Sequence, residues 1–65
     1  MSKNLKRTKL IKARKKEGLT QVKIADKANI SERYYQQLEA GTSNPTVDIA
    51  KLIAKALNST VEELF

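Results

Sequence analysis

The first sixteen residues of the chain concentrate its positive charge. They hold eight of the thirteen lysine and arginine residues and none of the seven acidic residues, while the whole chain has a net charge of +6. A basic segment joined to a nearly neutral body indicates a polyanionic partner, either nucleic acid or an anionic membrane surface. The alternative is a lysine-rich helix face that is simply solvated.

The composition argues against catalytic chemistry. The chain has no cysteine and no histidine, so it lacks disulfides, thiolate ligands, the commonest general base and the commonest metal ligand. It also lacks a glycine-rich phosphate loop, a nucleophile elbow and an acidic cluster suited to a metal. We therefore expect no enzymatic activity, no cofactor and no metal, and no small-molecule ligand is evident.

The apolar residues are too dispersed to form a membrane segment. Their longest runs are two or three residues, whereas a spanning helix needs about 20. Residues 1–16 have no apolar stretch like that of a signal peptide, and their apolar face is too thin for a surface-bound helix. We expect a single domain in the prokaryotic cytosol or nucleoid, with no membrane partner.

Helix-boundary signals divide the chain into five helices and no strands. Apolar residues follow the helical period, and we expect helices over about 5–16, 21–28, 32–40 and 47–57, with a short one after residue 59. Four helix starts carry good capping residues, with Ser59 and Glu62 forming a capping box; the other caps are Thr20, Ser31 and Thr46. The expected helix ends are Gly18, Asn29, Gly41 and Asn58.

The second and third helices are separated by only three residues, 29–31. A turn this short leaves no room for antiparallel packing, so the two helices must cross steeply, as in a DNA-binding helix-turn-helix. Ala25 is small enough to allow a close crossing. The expected core seam between the two helices consists of Ile24, Ile30, Tyr35 and Leu38.

Several short motifs, taken in order, resemble the Cro/phage-repressor (Xre-type) helix-turn-helix family. They are L-T-Q-x-x-x-A at 19–25, S-x-x-Y-Y at 31–35, L-E-x-G at 38–41 and N-P-T at 44–46, followed by a similar closing segment. The resemblance runs from about residue 5 to the end. It implies an all-α, lambda-repressor-like domain over 1–65 whose helices 2 and 3 form the helix-turn-helix, with residues 1–4 as a mobile basic arm.

The resemblance also implies that the start of the third helix reads base edges in the major groove. The expected base contacts are Glu32, Arg33, Tyr34 and Gln37. Arginine suits guanine O6 and N7, glutamine suits adenine N6 and N7, and glutamate accepts from cytosine N4. For Glu32 a second role stays open, namely to satisfy the helix N-terminus and exclude misplaced phosphates. Gln36 is more lateral and is expected to be a solvated residue.

Phosphate contacts are implied near helix N-termini and in the loop after the third helix. The expected residues are Gln21, Ser31, Tyr35, Thr42, Ser43 and Asn44. Tyr35 is expected in the core, with its hydroxyl at the rim beside a phosphate. The alternatives are that Gln21 is an ordinary exposed first-turn residue and that residues 42–44 only form the loop.

The resemblance further implies a buried ion pair and a two-fold interface. Arg14 and Glu39 match the positions of the pair, which would lock the third helix against the first. The candidate dimer residues are Leu52, Val61 and Phe65. The alternative is that Leu64 and Phe65 complete the core of the monomer, and this is expected for Leu64. The sequence therefore predicts a homodimeric repressor that binds a palindromic operator in double-stranded DNA. The alternative is a protein-interaction module on the same fold, such as an antitoxin or an anti-repressor.

Overall fold

The computed structural model describes residues 6–65, and in that range it contains five α-helices and no strand. The helices are α1 (Thr8–Lys16), α2 (Gln21–Ala28), α3 (Glu32–Ala40), α4 (Val47–Ala56) and α5 (Val61–Leu64). The predicted all-α fold is confirmed. The predicted basic arm, residues 1–4, lies outside the described residues.

Hydroxyl side chains cap the N-termini of α2 to α5. Each accepts a hydrogen bond of 3.0–3.2 Å from the backbone N–H three residues further on; the caps are Thr20, Ser31, Thr46 and Thr60. The first three are the predicted caps. Since such a cap is worth roughly 1 kcal/mol, these local bonds fix where α2 to α5 begin.

Three predicted boundaries are wrong. α1 starts at Thr8 because the backbone N–H of Arg7 donates to Glu39 O at 2.9 Å, which ties the preceding residue to α3. α4 ends at Ala56, one residue early. Ser59 does not cap α5, because its N–H closes α4 by donating to Ala54 O at 2.9 Å. The cap therefore falls one residue later, at Thr60.

The turn between α2 and α3 depends on a left-handed residue. Asn29 has φ 63° and ψ 38°, and its N–H donates back to Asp26 O at 3.1 Å. The N–H of Ile30 donates to Ala25 O at 3.0 Å, which completes the end of α2. Asparagine tolerates this conformation better than other non-glycine residues, so the chain can change direction within three residues.

A small apolar core holds the helices together. α2 packs against α3 and α4, while α1 packs against α3 and α5. The largest fully buried side chains are Leu10, Ile24, Tyr35, Leu38 and Ile53. Each large apolar side chain contributes roughly 1.5–3 kcal/mol on burial. This packing holds one side of α3 and leaves the other side to solvent.

Candidate nucleic-acid interface

α3 has one buried and one exposed side. Tyr35, Leu38 and Glu39 face the interior, whereas Glu32 and Arg33 in the first turn are exposed. Helical spacing brings residues 36 and 37 onto the same exposed side, one turn further along. Together with Ala40 and Thr42, these residues line one shallow, open surface. We call this surface the α3 face; its residues are Glu32, Arg33, Gln36, Gln37, Ala40 and Thr42.

An ion pair under the α3 face fixes the helix to α1. Arg14 Nε lies 2.6 Å from Glu39 Oε2, and Arg14 Nη2 lies 3.3 Å from Glu39 Oε1. The two side chains are only 12% and 6% exposed. Arg14 Nη1 also donates to Leu19 O at 3.0 Å, at the entrance to α2. The structure thus brings together the pair expected from the sequence and joins three helices through it.

Two further donors complete the environment of the Glu39 carboxylate. Tyr35 donates its hydroxyl to Oε2 at 2.6 Å, and Gln21 Nε2 donates to Oε1 at 2.9 Å. Burial pushes the pKa of Glu39 upward, but the hydrogen bonds from Arg14, Tyr35 and Gln21 outweigh it and hold the pKa below its usual value. The carboxylate is therefore ionised at neutral pH.

The expected phosphate contact of Tyr35 has to be corrected. Tyr35 is fully buried, and its hydroxyl is directed inward to Glu39. Burial is also the main cause that raises the pKa of its hydroxyl, followed by the hydrogen bond to Glu39. The sequence placed the ring correctly in the core but gave its hydroxyl a surface position that it does not have.

Tyr34 occupies an intermediate position. Its ring is half-buried against the core, and its hydroxyl donates to Asn44 O at 3.0 Å. The single hydroxyl hydrogen of Tyr34 is therefore used to hold the loop after α3. Its phenolic oxygen can still accept a hydrogen bond.

The loop after α3 folds back onto the end of that helix. The backbone N–H groups of Thr42 and Ser43 donate to Gln37 O at 3.0 and 3.4 Å, so neither is free for a phosphate. Ser43 Oγ donates to Gln37 Oε1 at 3.1 Å. Thr42 and Asn44 are exposed. The Thr42 hydroxyl also donates to Gln37 O, at 3.4 Å. The donors left in this loop for a phosphate are therefore the side-chain amide and the backbone N–H of Asn44.

The other two expected phosphate contacts lie at helix N-termini. Ser31 is exposed, and its hydroxyl oxygen caps α3 while the hydroxyl hydrogen can still be donated. Gln21 is half-buried at the start of α2, with one amide hydrogen engaged by Glu39. Its second amide hydrogen and the first N–H groups of α2 are the donors left for an anion.

Arg7 is a structural residue that the sequence analysis missed. Its guanidinium donates to Leu38 O at 2.8 Å, to Ser43 O at 2.9 Å and to Asn44 Oδ1 at 2.7 Å. It also lies 5.5 Å from the centre of the Phe65 ring. These partners are at least 31 residues away in sequence, so no local pattern distinguishes Arg7 from the other basic residues.

The lysines in α1 and just before it do not all lie beside the α3 face. Lys6 lies beside Gln21 and Gln36, next to the α3 face. Three others line a groove against the turn between α4 and α5; they are Lys9, Lys12 and Lys16. Lys6 and Lys9 also line a common surface beside Phe65. The positive charge of these lysines therefore extends from the edge of the α3 face to the groove beside α5.

The candidate dimer residues differ in exposure. Leu52 and Phe65 are 42% and 38% exposed, whereas Val61 is half-buried against the core and Leu64 is buried.

Among residues 6–65 no helix is long and apolar enough to span a membrane, and the same residues contain no cluster of potential metal ligands.

Comparison with known proteins gives consistent results. A family model described as helix-turn-helix, HTH_3, matches residues 10–64. An uncharacterized HTH-type transcriptional regulator of Archaeoglobus fulgidus is 36% identical over 59 residues, which cover 91% of this chain and 84% of that protein.

Solved structures share the arrangement of helices. The restriction-modification controller protein C.AhdI from Aeromonas hydrophila superposes with a TM-score of 0.83 at 28% identity, over 89% of this chain and 88% of that one. The clp gene regulator ClgR from Corynebacterium glutamicum gives 0.82 at 23% identity, over 88% of this chain. A chain of the SinR/SinI complex gives 0.84 at 21%, over 94% of this chain. This chain spans about 60% of the last two, and their likeness shows the fold.

Proposed function

Since the chain belongs to the helix-turn-helix family HTH_3, whose members are DNA-binding transcriptional regulators, we propose that it is a dimeric repressor of a palindromic operator. In this proposal the α3 face enters the major groove and reads base edges. The observation that carries the proposal is the division of α3 into an inner side locked by Arg14 and Glu39 and an outer side rich in hydrogen-bonding groups.

The base-reading residues follow from exposure and position. Arg33 is exposed in the first turn of α3, where a recognition helix approaches the bases, and its fork of donors suits guanine O6 and N7. Gln37 lies on the same side one turn later, and its amide nitrogen is free of the Ser43 contact. Glu32 offers acceptors, and Tyr34 contributes from the edge of the surface.

Phosphate contacts would position the domain on the duplex without reading sequence. The donors that remain available are in Gln21, Ser31 and Asn44, at the two helix starts and in the loop. Thr42 would have to release the bond from its hydroxyl to Gln37 O before it could bind a phosphate. Ser43 is half-buried and supports Gln37 more than it faces solvent. Lys6 adds a positive charge beside Gln21.

Dimerisation would double the short stretch of bases that one helix can read. Helix-turn-helix dimers bind half-sites about 34–36 Å apart, and operator symmetry mirrors the two-fold axis of the protein. Leu52 and Phe65 are exposed large apolar residues of the C-terminal half, as is Val47 at the start of α4. Val61 is half-buried, and its carbonyl oxygen accepts from Phe65 N–H. A second candidate function, a protein-interaction module, rests on the same exposed apolar residues.

Selection of bound duplexes from random DNA, followed by sedimentation of the complex, tests this proposal. We expect enrichment of a palindrome and two chains per site. Binding without any enriched sequence would contradict the proposal and favour the interaction module. Enrichment of a single half-site with one chain bound would retain base reading and refute the dimer.

A further inference from the structure

A series of side-chain hydrogen bonds leads from the buried Glu39 to the α3 face. Gln21 Nε2 donates to Glu39 Oε1 at 2.9 Å. Gln36 Nε2 then lies 3.3 Å from Gln21 Oε1 and 3.3 Å from Glu32 Oε2, and donates to both. Two of these four residues are exposed, so the series joins the interior to the surface that would face DNA.

The buried end of the series sets the direction of every bond in it. Glu39 pairs with Arg14 at 2.6 Å, and an ionised carboxylate can only accept. Gln21 must therefore turn its amide nitrogen toward Glu39 and its carbonyl oxygen toward Gln36. Gln36 must in turn present its nitrogen, because both Gln21 Oε1 and Glu32 Oε2 are acceptors. The opposite amide orientation would place oxygen against oxygen.

Only acceptor groups then remain outward at Gln36 and Glu32. The two amide hydrogens of Gln36 are used, and among residues 6–65 its Oε1 has no hydrogen-bond donor. Gln36 is exposed and lies on the α3 face beside Arg33. Glu32 likewise offers carboxylate oxygens. This part of the surface therefore accepts hydrogen bonds, while Arg33 only donates them.

We propose that Gln36, together with Glu32, selects bases that carry an exocyclic amine in the major groove. The inference rests on the proposed DNA-binding function and adds a specificity-determining residue to it. Adenine N6 and cytosine N4 are the donors that base pairs present in that groove, while guanine O6 and thymine O4 are acceptors. An outward carbonyl oxygen on Gln36 hydrogen-bonds the first two and faces oxygen on the others.

The fixed amide also distinguishes this contact from the usual one between glutamine and adenine. A freely rotating glutamine reads adenine through both N6 and N7, with its nitrogen donating to N7. Gln36 has no amide hydrogen left for N7, so it reads the amine alone. Gln21 acts here as a positioning residue, because it determines which atom Gln36 presents without touching the base itself.

Base preference measured by selection from random duplexes tests the inference. At one position of each half-site, the wild-type chain is expected to prefer adenine or cytosine, and Gln36→Met to lose roughly five- to tenfold of that preference. Gln21→Met is expected to relax the same position while the preference set by Arg33 is retained. Circular dichroism and the urea midpoint of each variant establish that it is folded.

Modified duplexes give a second readout that a loss of folding would not imitate. Where adenine is preferred, replacing it by purine, which lacks the amine, should weaken binding roughly fivefold or more, while 7-deazaadenine should leave affinity within about twofold. Where cytosine is preferred, 2-pyrimidinone replaces purine in the test. Sensitivity to 7-deazaadenine, or a guanine or thymine at the Gln36 position, would overturn the inference.

The outcomes separate this inference from the function on which it rests. If the wild-type chain enriches no sequence, the proposed function fails together with the inference. If it enriches a sequence that Gln36→Met reads with unchanged preference, only the inference fails.

Discussion

Replacing Glu39 by glutamine should destabilise the domain severely while barely changing side-chain volume. The carboxylate accepts two hydrogen bonds from Arg14, one from Tyr35 and one from Gln21. In Glu39→Gln the Arg14 guanidinium, 12% exposed, keeps its charge but loses its counter-ion. The amide nitrogen that replaces one oxygen also opposes one of the donors.

The expected cost follows from what is left unpaired. Removing one partner of a buried ion pair typically costs about 3–5 kcal/mol. A 65-residue domain has a total free energy of unfolding of roughly 3–10 kcal/mol. We therefore expect Glu39→Gln to lose a large part of its folding free energy, whereas Glu62→Gln on the exposed side of α5 should change it by no more than about 0.5 kcal/mol.

Urea unfolding followed by circular dichroism at neutral pH measures both variants. A third variant separates lost pairing from lost packing. This triple variant replaces the charged and hydroxyl groups of the cluster by apolar ones and carries Arg14→Met, Tyr35→Phe and Glu39→Met. Apolar replacement of a whole buried cluster is often neutral or stabilising, so this variant should recover much of the loss. A Glu39→Gln cost below about 1 kcal/mol would refute the reasoning that the pair locks α3.

Three other perturbations test the remaining parts of the account. Acidification should destabilise wild type more than Glu39→Gln in urea unfolding. The pKa of Glu39 is lower in the folded chain than its unfolded value of about 4.3, so the ionised carboxylate stabilises the fold above that pH. This stability is lost as the pH falls through the folded pKa. Lys6→Ala should weaken binding on all duplexes alike and reduce the slope of log K against log salt by about 0.9, while Lys12→Ala, on the other side of α1, should change it less. Arg7→Ala should speed amide hydrogen exchange at residues 42–44 and lower DNA affinity, since its guanidinium binds Ser43 O and Asn44 Oδ1.

Each of these expectations has an opposing result. Parallel acid unfolding of wild type and Glu39→Gln would show that other carboxylates dominate below neutral pH. Equal salt slopes for the Lys6 and Lys12 variants would show that DNA does not distinguish the two sides of α1. Unchanged exchange in Arg7→Ala would mean that the loop is held by its bonds to Gln37 alone.

Hydrogen bonds between residues close in sequence made the starts of α2, α3 and α4 and the end of α2 predictable. Thr20, Ser31 and Thr46 cap helices through bonds that span three residues, and Asn29 ends α2 through its own left-handed conformation. These interactions depend on residues close in sequence, so they can be read directly from it. The prediction that Ser59 caps α5 was wrong because two adjacent hydroxyl residues could both cap that helix, and the closing bond of α4 decided for Thr60.

Long-range contacts account for what the sequence did not reveal. Arg7 binds the end of α3 and the following loop across more than thirty residues. The Tyr35 hydroxyl could point toward solvent or toward Glu39, and packing decides for Glu39. Gln36 is exposed, as expected, but its hydrogen bonds were not predicted because one of its two partners, Gln21, lies on another helix. Side-chain direction, unlike helix position, depends on the assembled fold.

The central claim is that the α3 face reads bases, and a pair of charge-matched variants tests it most directly. Arg33→Ala and Lys55→Ala each remove one positive charge, but Lys55 lies beside Lys27 and Leu52, away from the α3 face. On the selected operator and its single-base variants, Arg33→Ala should cost about 1–3 kcal/mol and relax preference at one base pair. Lys55→Ala should keep every preference. If Arg33→Ala lowers affinity equally on every sequence, α3 is not the base-reading element.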